Sequence, residues 1–281
     1  MKTYLEVSVS ANETQREILI STMIELGFQG FQETDTHLIS YIDKTDWNED
    51  KYETLKAELK RLLNIISSNA EIVIREVPDE NWNAQWEQTI QPIEIGEKLV
   101  IKPSWSEYDN AGGRIIIRID PKMSFGTGYH ETTRLTLCLL EKYLKQGDAV
   151  LDVGTGTGVL AIAAVKLGAM SAAGIDIDEW SIDNAGENIK NNGVSDSVTI
   201  SDTPLEQLQG PFSLITANLT LNTNSEMLGN FYTLLQNNGK VLLSGLLVND
   251  REAIRARLLE ERFTIIEELQ ENEWIAIAAG K

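Results

Sequence analysis

The feature that most constrains this chain is a run of three alternate glycines that follows a short apolar segment. Val150-Leu151-Asp152-Val153 is typical of a buried strand, Gly154-Thr155-Gly156-Thr157-Gly158 makes a turn, and an apolar-periodic helix, predicted over 158–167, follows at once. A strand, a glycine turn and a helix N-terminus in this order present backbone N–H groups to a ligand, and glycine lets that ligand lie against the backbone. The pattern therefore predicts an α/β protein with a ligand site at the end of this strand.

Two acidic residues near the turn indicate the kind of ligand. The spacing G-x-G-x-G differs from the G-x-G-x-x-G of dinucleotide sites. Asp152, inside the strand, would repel a pyrophosphate but would pair with an ammonium group, and Asp176, at the end of the next predicted strand, can accept hydrogen bonds from ribose hydroxyls. A ligand with a ribose, a cationic amine and no phosphate is S-adenosylmethionine. The pattern resembles motif I of the class I methyltransferases, and a tight turn without a ligand is the alternative.

The order of predicted elements divides the chain into two domains. Residues 1–78 follow the pattern β-α-β-β-α-β, which predicts a small ferredoxin-like α+β domain whose expected role is substrate recognition. Residues 79–91 are predicted to form a linker helix. In residues 92–281 strands and helices alternate, which predicts a doubly wound, mainly parallel sheet. The segments 263–268 and 274–278 are joined by a short acidic turn, and this hairpin predicts an antiparallel last strand, as in class I methyltransferases.

Composition limits the partners and the compartment. The formal net charge of −19 over 281 residues argues against direct binding of nucleic acid and favours a basic partner. Cys138 is the only cysteine, so an internal disulfide is impossible, and with His37 and His130 far apart we expect no metal site. The N-terminus carries no apolar signal segment, and no apolar run is long enough to span a bilayer. We expect a soluble, cytoplasmic protein that does not bind membranes.

Further motifs accompany the glycine turn. Residues 125–133 have the sequence Phe-Gly-Thr-Gly-Tyr-His-Glu-Thr-Thr, and residues 174–178 have the sequence Gly-Ile-Asp-Ile-Asp. With the glycine turn, and with Trp82, Trp86 and the Lys-Pro-Ser-Trp segment at 102–105, they resemble the ribosomal protein L11 methyltransferases. The resemblance extends over essentially the whole chain.

This resemblance implies an enzyme that transfers methyl groups from S-adenosylmethionine to amino groups of ribosomal protein L11. The acceptors would be lysine ε-amines and the N-terminal α-amine, often methylated repeatedly, and the acidic charge suggests free L11 as the substrate. In this comparison Asp176 holds the ribose, and Asp202, after the third strand, is a candidate near the adenine. The predicted cofactor-binding residues are Thr133, Gly154, Asp176 and Asn218 by matching position, Asp152, Gly156 and Gly158 from the glycine-turn argument, and Asp202.

Asn218, at the end of the predicted fourth strand, is the candidate catalytic residue. In the class I methyltransferases that this chain resembles, this strand end faces the transferable methyl group, and the amide carbonyl could accept a hydrogen bond from the substrate amine. The chain continues Leu219-Thr220-Leu221, where the family usually has Ile-Leu-Ala, so the shape of the amine pocket stays open. A polar strand end that caps the next helix is the alternative reading of Asn218. The alternative functions are methylation of another protein or small-molecule amine, and non-catalytic sensing of the cofactor.

Overall fold

The computed structural model describes residues 3–10, 19–20, 23–24, 26–34, 37–54, 56–57, 72–78, 91–120 and 126–281. The chain divides into two compact units, Met1–Trp86 and Glu87–Lys281. The domain boundaries drawn from the sequence stay predictions. Trp82 and Trp86 of the predicted linker helix lie outside the described residues.

The first unit contains a four-stranded antiparallel sheet. Leu5, Val7 and Val9 alternate with polar residues and are buried in its core, as the period of two predicts. Leu19 and Met23, at helical positions, pack in the same core, while much of the two predicted helices lies outside the described residues. The strand order β2-β3-β1-β4 is consistent with the predicted ferredoxin-like fold. The strands are β1 (Thr3–Ser10), β2 (Gln29–Glu33), β3 (His37–Asp43) and β4 (Ile72–Pro78).

The second unit is built around a seven-stranded sheet with the order β10-β9-β8-β11-β12-β14-β13. Its strands are β8 (Ala149–Val153), β9 (Ser171–Ile175), β10 (Val198–Ser201), β11 (Phe212–Asn218), β12 (Leu235–Leu247), β13 (Thr264–Glu271) and β14 (Trp274–Gly280). Neighbouring strands from β10 to β12 are parallel, whereas β14 is antiparallel to both β12 and β13. This arrangement confirms the predicted doubly wound sheet with an antiparallel last strand.

Helices cover both faces of this sheet, which is why its central strand β8 is buried on both sides. Val150 and Leu151 show the principle, because these neighbours in β8 belong to different cores on opposite faces. The first core contains α1 and α2 with one residue of α3, and the second contains α4 and α5. The helices are α1 (Glu131–Tyr143), α2 (Val159–Leu167), α3 (Glu179–Asn192), α4 (Leu221–Leu234) and α5 (Arg251–Glu260).

A separate three-stranded sheet packs into the first core. It consists of β5 (Ile93–Ile95), β6 (Leu99–Lys102) and β7 (Ile115–Arg118), with β5 antiparallel and β7 parallel to β6. The strand β5 gives no signal in the sequence, because three residues are too few for a detectable alternation. Leu99, Ile101 and Ile117 join the core of α1 and α2.

In the part of the chain that the structure describes, no helix is both long and apolar enough to cross a membrane. Within the same residues, no group of three or more His, Cys, Asp or Glu side chains is arranged to hold a metal ion.

Two buried asparagines of α3 connect the three-stranded sheet with the glycine turn. Asn188 donates from Nδ2 to the Thr157 carbonyl at 3.0 Å and accepts at Oδ1 from the Asp120 N–H at 3.1 Å. Asn192 accepts from the Arg118 N–H at 2.9 Å and donates to the carbonyl of the same residue at 2.6 Å. These side chains therefore satisfy backbone groups at the end of β7 and in the turn.

We predict that Asn188→Ala lowers the free energy of unfolding by about 1–3 kcal/mol, because a buried carbonyl and a backbone N–H lose their partner. Urea unfolding measures this change. Asn191→Ala is the matched control, since Asn191 is exposed and reaches only the Asp120 carboxylate, and we expect it to change stability by less than about 0.5 kcal/mol. Equal losses in both variants would contradict the assignment.

Candidate active site

A cavity of about 690 Å³ lies at the carboxyl end of the parallel strands. The sheet order reverses here, since β8 has β9 on one side and β11 on the other, and such a switch point opens a crevice for a ligand. The residues that line the cavity are His130, Thr132, Val153, Gly154, Gly156, Ile175, Asp176, Ile177, Ser181, Asp202, Thr203, Pro204, Leu205, Glu206, Asn218, Leu219, Thr220, Thr223, Met227, Gly245 and Trp274.

The cavity has two chemically different halves. The first half is built on the ends of β8, β9 and β10 and carries all the acidic lining residues, namely Asp176, Asp202 and Glu206. The second half is built on β11, β12, β14, α4 and the start of α1, and its lining side chains are amide, hydroxyl, imidazole, thioether, indole and aliphatic groups. We call these the acidic half and the acceptor half.

The glycine turn adopts a backbone that other residues resist. Gly154 has a φ of +69°, and a Cβ there would lie 2.5 Å from Cδ2 of Leu219. Gly158 has a φ of +78°, begins α2, and packs against Ala185, where a Cβ would meet the alanine Cβ at 3.2 Å. The positive φ favours glycine at both positions, and a side chain at either one would also require its neighbour to shift. Gly154 and Gly156 line the cavity, whereas Gly158 lies beneath it.

Asp176 lies on the wall of the acidic half, directly after β9. Its Oδ2 accepts from the Gly156 N–H at 2.9 Å, and its Oδ1 accepts from the Asp178 N–H at 3.1 Å. The carboxylate therefore fixes the glycine turn, and its remaining acceptor capacity is available to a ligand. Ile177, the next residue, is fully exposed and lines the cavity as well.

Asp152 does not line the cavity. It is fully buried, and its two oxygens accept from the hydroxyls of Thr155 and Thr216, each at 2.7 Å. Burial raises the pKa of this carboxyl to about 6, against the opposing effect of the two hydroxyl hydrogen bonds. The expectation that Asp152 faces a cationic ligand directly is therefore corrected: it lies one layer below the turn and holds it to β11.

Asn218 ends β11 and lines the cavity between the two halves. Its Nδ2 donates to Oγ1 of Thr133 at 3.4 Å, while its Oδ1 is buried without a hydrogen-bond partner. An unpartnered buried acceptor is costly, so this oxygen is suited to a donor that the ligand brings. Thr133 is itself buried in α1 and does not line the cavity, so it supports Asn218 from behind.

The last predicted residue, Asp202, is exposed on the lining of the acidic half. Sequence reasoning missed other lining residues. Ile177 could have been found from its place directly after Asp176, the acid that follows β9. Trp274 gives no such signal, because its position depends on the insertion of β14 between β12 and β13.

His130 and Trp274 together form one wall of the acceptor half. Their rings meet edge to face with centroids 4.8 Å apart. His130 also begins α1, since its Nδ1 accepts from the Thr132 N–H at 3.3 Å. Arg134 holds the hairpin beside this wall through hydrogen bonds of 3.1 Å and 2.6 Å to Glu271. His130 therefore caps the start of α1 and also contributes to the cavity.

Comparison with known proteins identifies the family. The family model for ribosomal protein L11 methyltransferase (PrmA) matches residues 3–281. The ribosomal protein L11 methyltransferase of Chlorobaculum tepidum is 35% identical over 278 residues, which cover 97% of this chain and 95% of the relative. That of Bacillus licheniformis is 33% identical and covers 95% and 87%. The chain belongs to the ribosomal protein L11 methyltransferase family.

A solved structure agrees with this assignment. The crystal structure of ribosomal protein L11 methylase from Lactobacillus delbrueckii subsp. bulgaricus is 34% identical, has a TM-score of 0.64, and covers 67% of this chain and 97% of its own. Family membership confirms the prediction of a methyltransferase that uses S-adenosylmethionine. The alternatives of an unrelated amine substrate or a cofactor sensor are not favoured, because the match includes nearly the whole chain.

The residues of the cavity fit S-adenosylmethionine. The volume suits a ligand of this size. Glycines 154 and 156 allow close approach, the Asp176 carboxylate suits ribose hydroxyls, and the acidic half as a whole suits a cationic ligand. The Oδ1 of Asn218 has no hydrogen-bond partner and lies between the two halves, so it suits a second reactant that brings an N–H donor.

We predict that Asp152→Asn removes a pH dependence of stability. Because the folded-state pKa is raised from 3.8 to about 6, the folded protein binds the proton more tightly, and this stabilisation is lost as the pH rises through that window. The free energy of unfolding of the variant relative to the parent should therefore increase by roughly 2–3 kcal/mol between about pH 4 and pH 7. Urea unfolding at both pH values measures it. Exposed Asp183→Asn is the control, and a difference that does not vary with pH would refute the prediction.

We predict that Asp176→Ala weakens S-adenosylmethionine binding by about 1–3 kcal/mol, because ribose hydroxyls and the Gly156 N–H lose their acceptor. Isothermal titration calorimetry measures the affinity. Asp183→Ala removes an exposed acid of the neighbouring helix and should leave the affinity unchanged. An unchanged affinity of Asp176→Ala for S-adenosylmethionine would refute the assignment of Asp176 to the ribose.

Proposed function

We propose that this protein transfers methyl groups from S-adenosylmethionine to lysine ε-amines and the N-terminal α-amine of ribosomal protein L11. The proposal rests on the buried, unpartnered Oδ1 of Asn218 in the cavity wall. An amide oxygen there accepts a hydrogen bond from the N–H of an entering amine, which orients the nitrogen lone pair. The names of the relatives support L11 as the protein that carries this amine.

In this proposal the two halves of the cavity receive the two reactants. Gly154, Gly156, Asp176 and Asp202 hold the cofactor in the acidic half, and Asn218 stands at the boundary. When bound, the cofactor supplies a methyl group on a sulfonium, which is a good leaving group. The protein therefore has mainly to position the amine and to exclude water from it.

The acceptor half is suited to a neutral amine. A lysine ε-amine has an unperturbed pKa of about 10.4 and must lose a proton before it can attack. The described lining of this half contains no carboxylate that would hold the ammonium form in place. Transfer of the amine into this lining lowers its pKa by desolvation, and the proton leaves to solvent.

Charge favours free L11 as the substrate. The formal net charge of −19 repels the phosphates of ribosomal RNA and attracts a basic protein. We therefore assign the reaction to L11 before it is bound to RNA, in the cytoplasm, with no direct contact to nucleic acid. Residues 1–78 would recognise L11, and residues 92–281 would carry out the transfer.

Intact-mass spectrometry of L11 incubated with the protein and S-adenosylmethionine tests the proposal. We expect mass steps of one methylene per transfer, and peptide mapping should place them on lysines or on the N-terminal amine. L11 that stays unmodified while the cofactor binds would refute the substrate. Equal methylation of L11 bound to ribosomal RNA would refute the preference for free L11.

We expect Asn218→Ala to lower turnover roughly a hundredfold, because the amine loses the acceptor that orients it. The affinity for S-adenosylmethionine should stay within about threefold, since Asn218 stands at the edge of the cofactor half. Asn222→Ala, on the exposed side of α4, is the control and should retain parental turnover. Parental turnover in Asn218→Ala would remove this residue from the mechanism.

A further inference from the structure

The side chain of one buried asparagine links the turn that follows β11 to β12. The Leu219 N–H donates to the Ser244 carbonyl at 3.1 Å, which joins the turn to β12. Asn224, in the first turns of α4, donates from Nδ2 to the Leu219 carbonyl at 2.8 Å and to the Ser244 carbonyl at 3.0 Å. One amide group thus binds both carbonyls of this junction.

Asn224 occupies its position at an energetic cost. It is fully buried, and its Oδ1 has no hydrogen-bond partner. A buried acceptor without a partner destabilises the fold, and a leucine of similar size would not carry this acceptor. The two N–H donors of the Asn224 amide are therefore what the fold needs at this position. They bind backbone carbonyls in the two segments that carry the lining residues Leu219 and Gly245.

Leu219 directly follows Asn218 in the chain, and the Ser244 carbonyl directly precedes Gly245; both Asn218 and Gly245 line the cavity. Gly245 has a φ of +77°, and a Cβ there would lie 2.9 Å from the Leu219 backbone nitrogen, so β12 approaches the turn as closely as glycine permits. The Asn218 side chain has one hydrogen bond, at 3.4 Å to Thr133. Its direction therefore depends on the backbone of the turn.

We propose that Asn224 is a positioning residue for methyl transfer. It fixes the Asn218–Leu219 backbone through the Leu219 and Ser244 carbonyls, and so holds the Asn218 oxygen at the boundary between the two halves. Asn224 does not itself line the cavity. The consequence for turnover rests on the proposed function, whereas the consequence for the backbone of the turn does not.

Asn224→Leu and the matched control Asn184→Leu test this role. Asn184 is also a buried helical asparagine with one unpartnered amide atom, but it lies in α3, away from the turn. In Asn224→Leu we expect kcat on L11 to fall at least about tenfold, with KM for L11 and the Kd of S-adenosylmethionine within about twofold of the parent. Hydrogen exchange measured by mass spectrometry should rise about tenfold in residues 218–224 and stay unchanged in residues 150–160. Asn184→Leu should show neither effect.

Three outcomes would overturn the proposal: parental kcat in a folded Asn224→Leu, unchanged exchange in residues 218–224, or equal losses of kcat and cofactor affinity, as a general loss of packing gives. If Asn224→Leu does not fold, Asn224→Ser, which keeps one hydroxyl donor, is judged by the same measurements. If the parent does not methylate L11, the proposed function fails, and the exchange comparison still decides whether Asn224 holds the turn.

Discussion

The buried carboxylate of Asp152 is the interaction on which the cavity depends. It accepts hydrogen bonds from Thr155 in the glycine turn and from Thr216 in β11, so it joins the turn to the strand on the other side of the switch point. Burial disfavours the charged form of a carboxyl group, and it therefore raises the pKa of Asp152. Two hydroxyl hydrogen bonds offset part of this rise. Removal of this carboxylate would leave the hydroxyls of Thr155 and Thr216 without the acceptor that joins them.

Much of the fold of the second unit could be predicted from the sequence, because each element carries a strong local signal. The last hairpin, predicted over 263–268 and 274–278, is found as β13 and β14. The helix α2, predicted directly after the glycine turn, begins at Val159. The strand β5 was missed because three residues do not establish a period. Its membership in a second sheet is a long-range property that no local pattern contains.

The site was predictable in part, for a related physical reason. Residues at the ends of parallel strands meet at one edge of a sheet, so Gly154, Asp176, Asp202 and Asn218 were expected together, and all four line the cavity. A spacing does not tell whether a side chain points outward or beneath the turn. Asp152 was therefore expected against the ligand and is found one layer below it.

The insertion of β14 between β12 and β13 has a consequence for the order in which the protein is assembled. β13 precedes β14 in the chain but is one strand farther from the centre of the sheet, so it has no place until β14 has paired with β12. The C-terminal hairpin therefore takes its place in the sheet as a unit. Because Trp274 lies in this hairpin, the acceptor half is complete only once β14 has paired with β12. The cavity is thus a property of the whole second unit and not of its parallel strands alone.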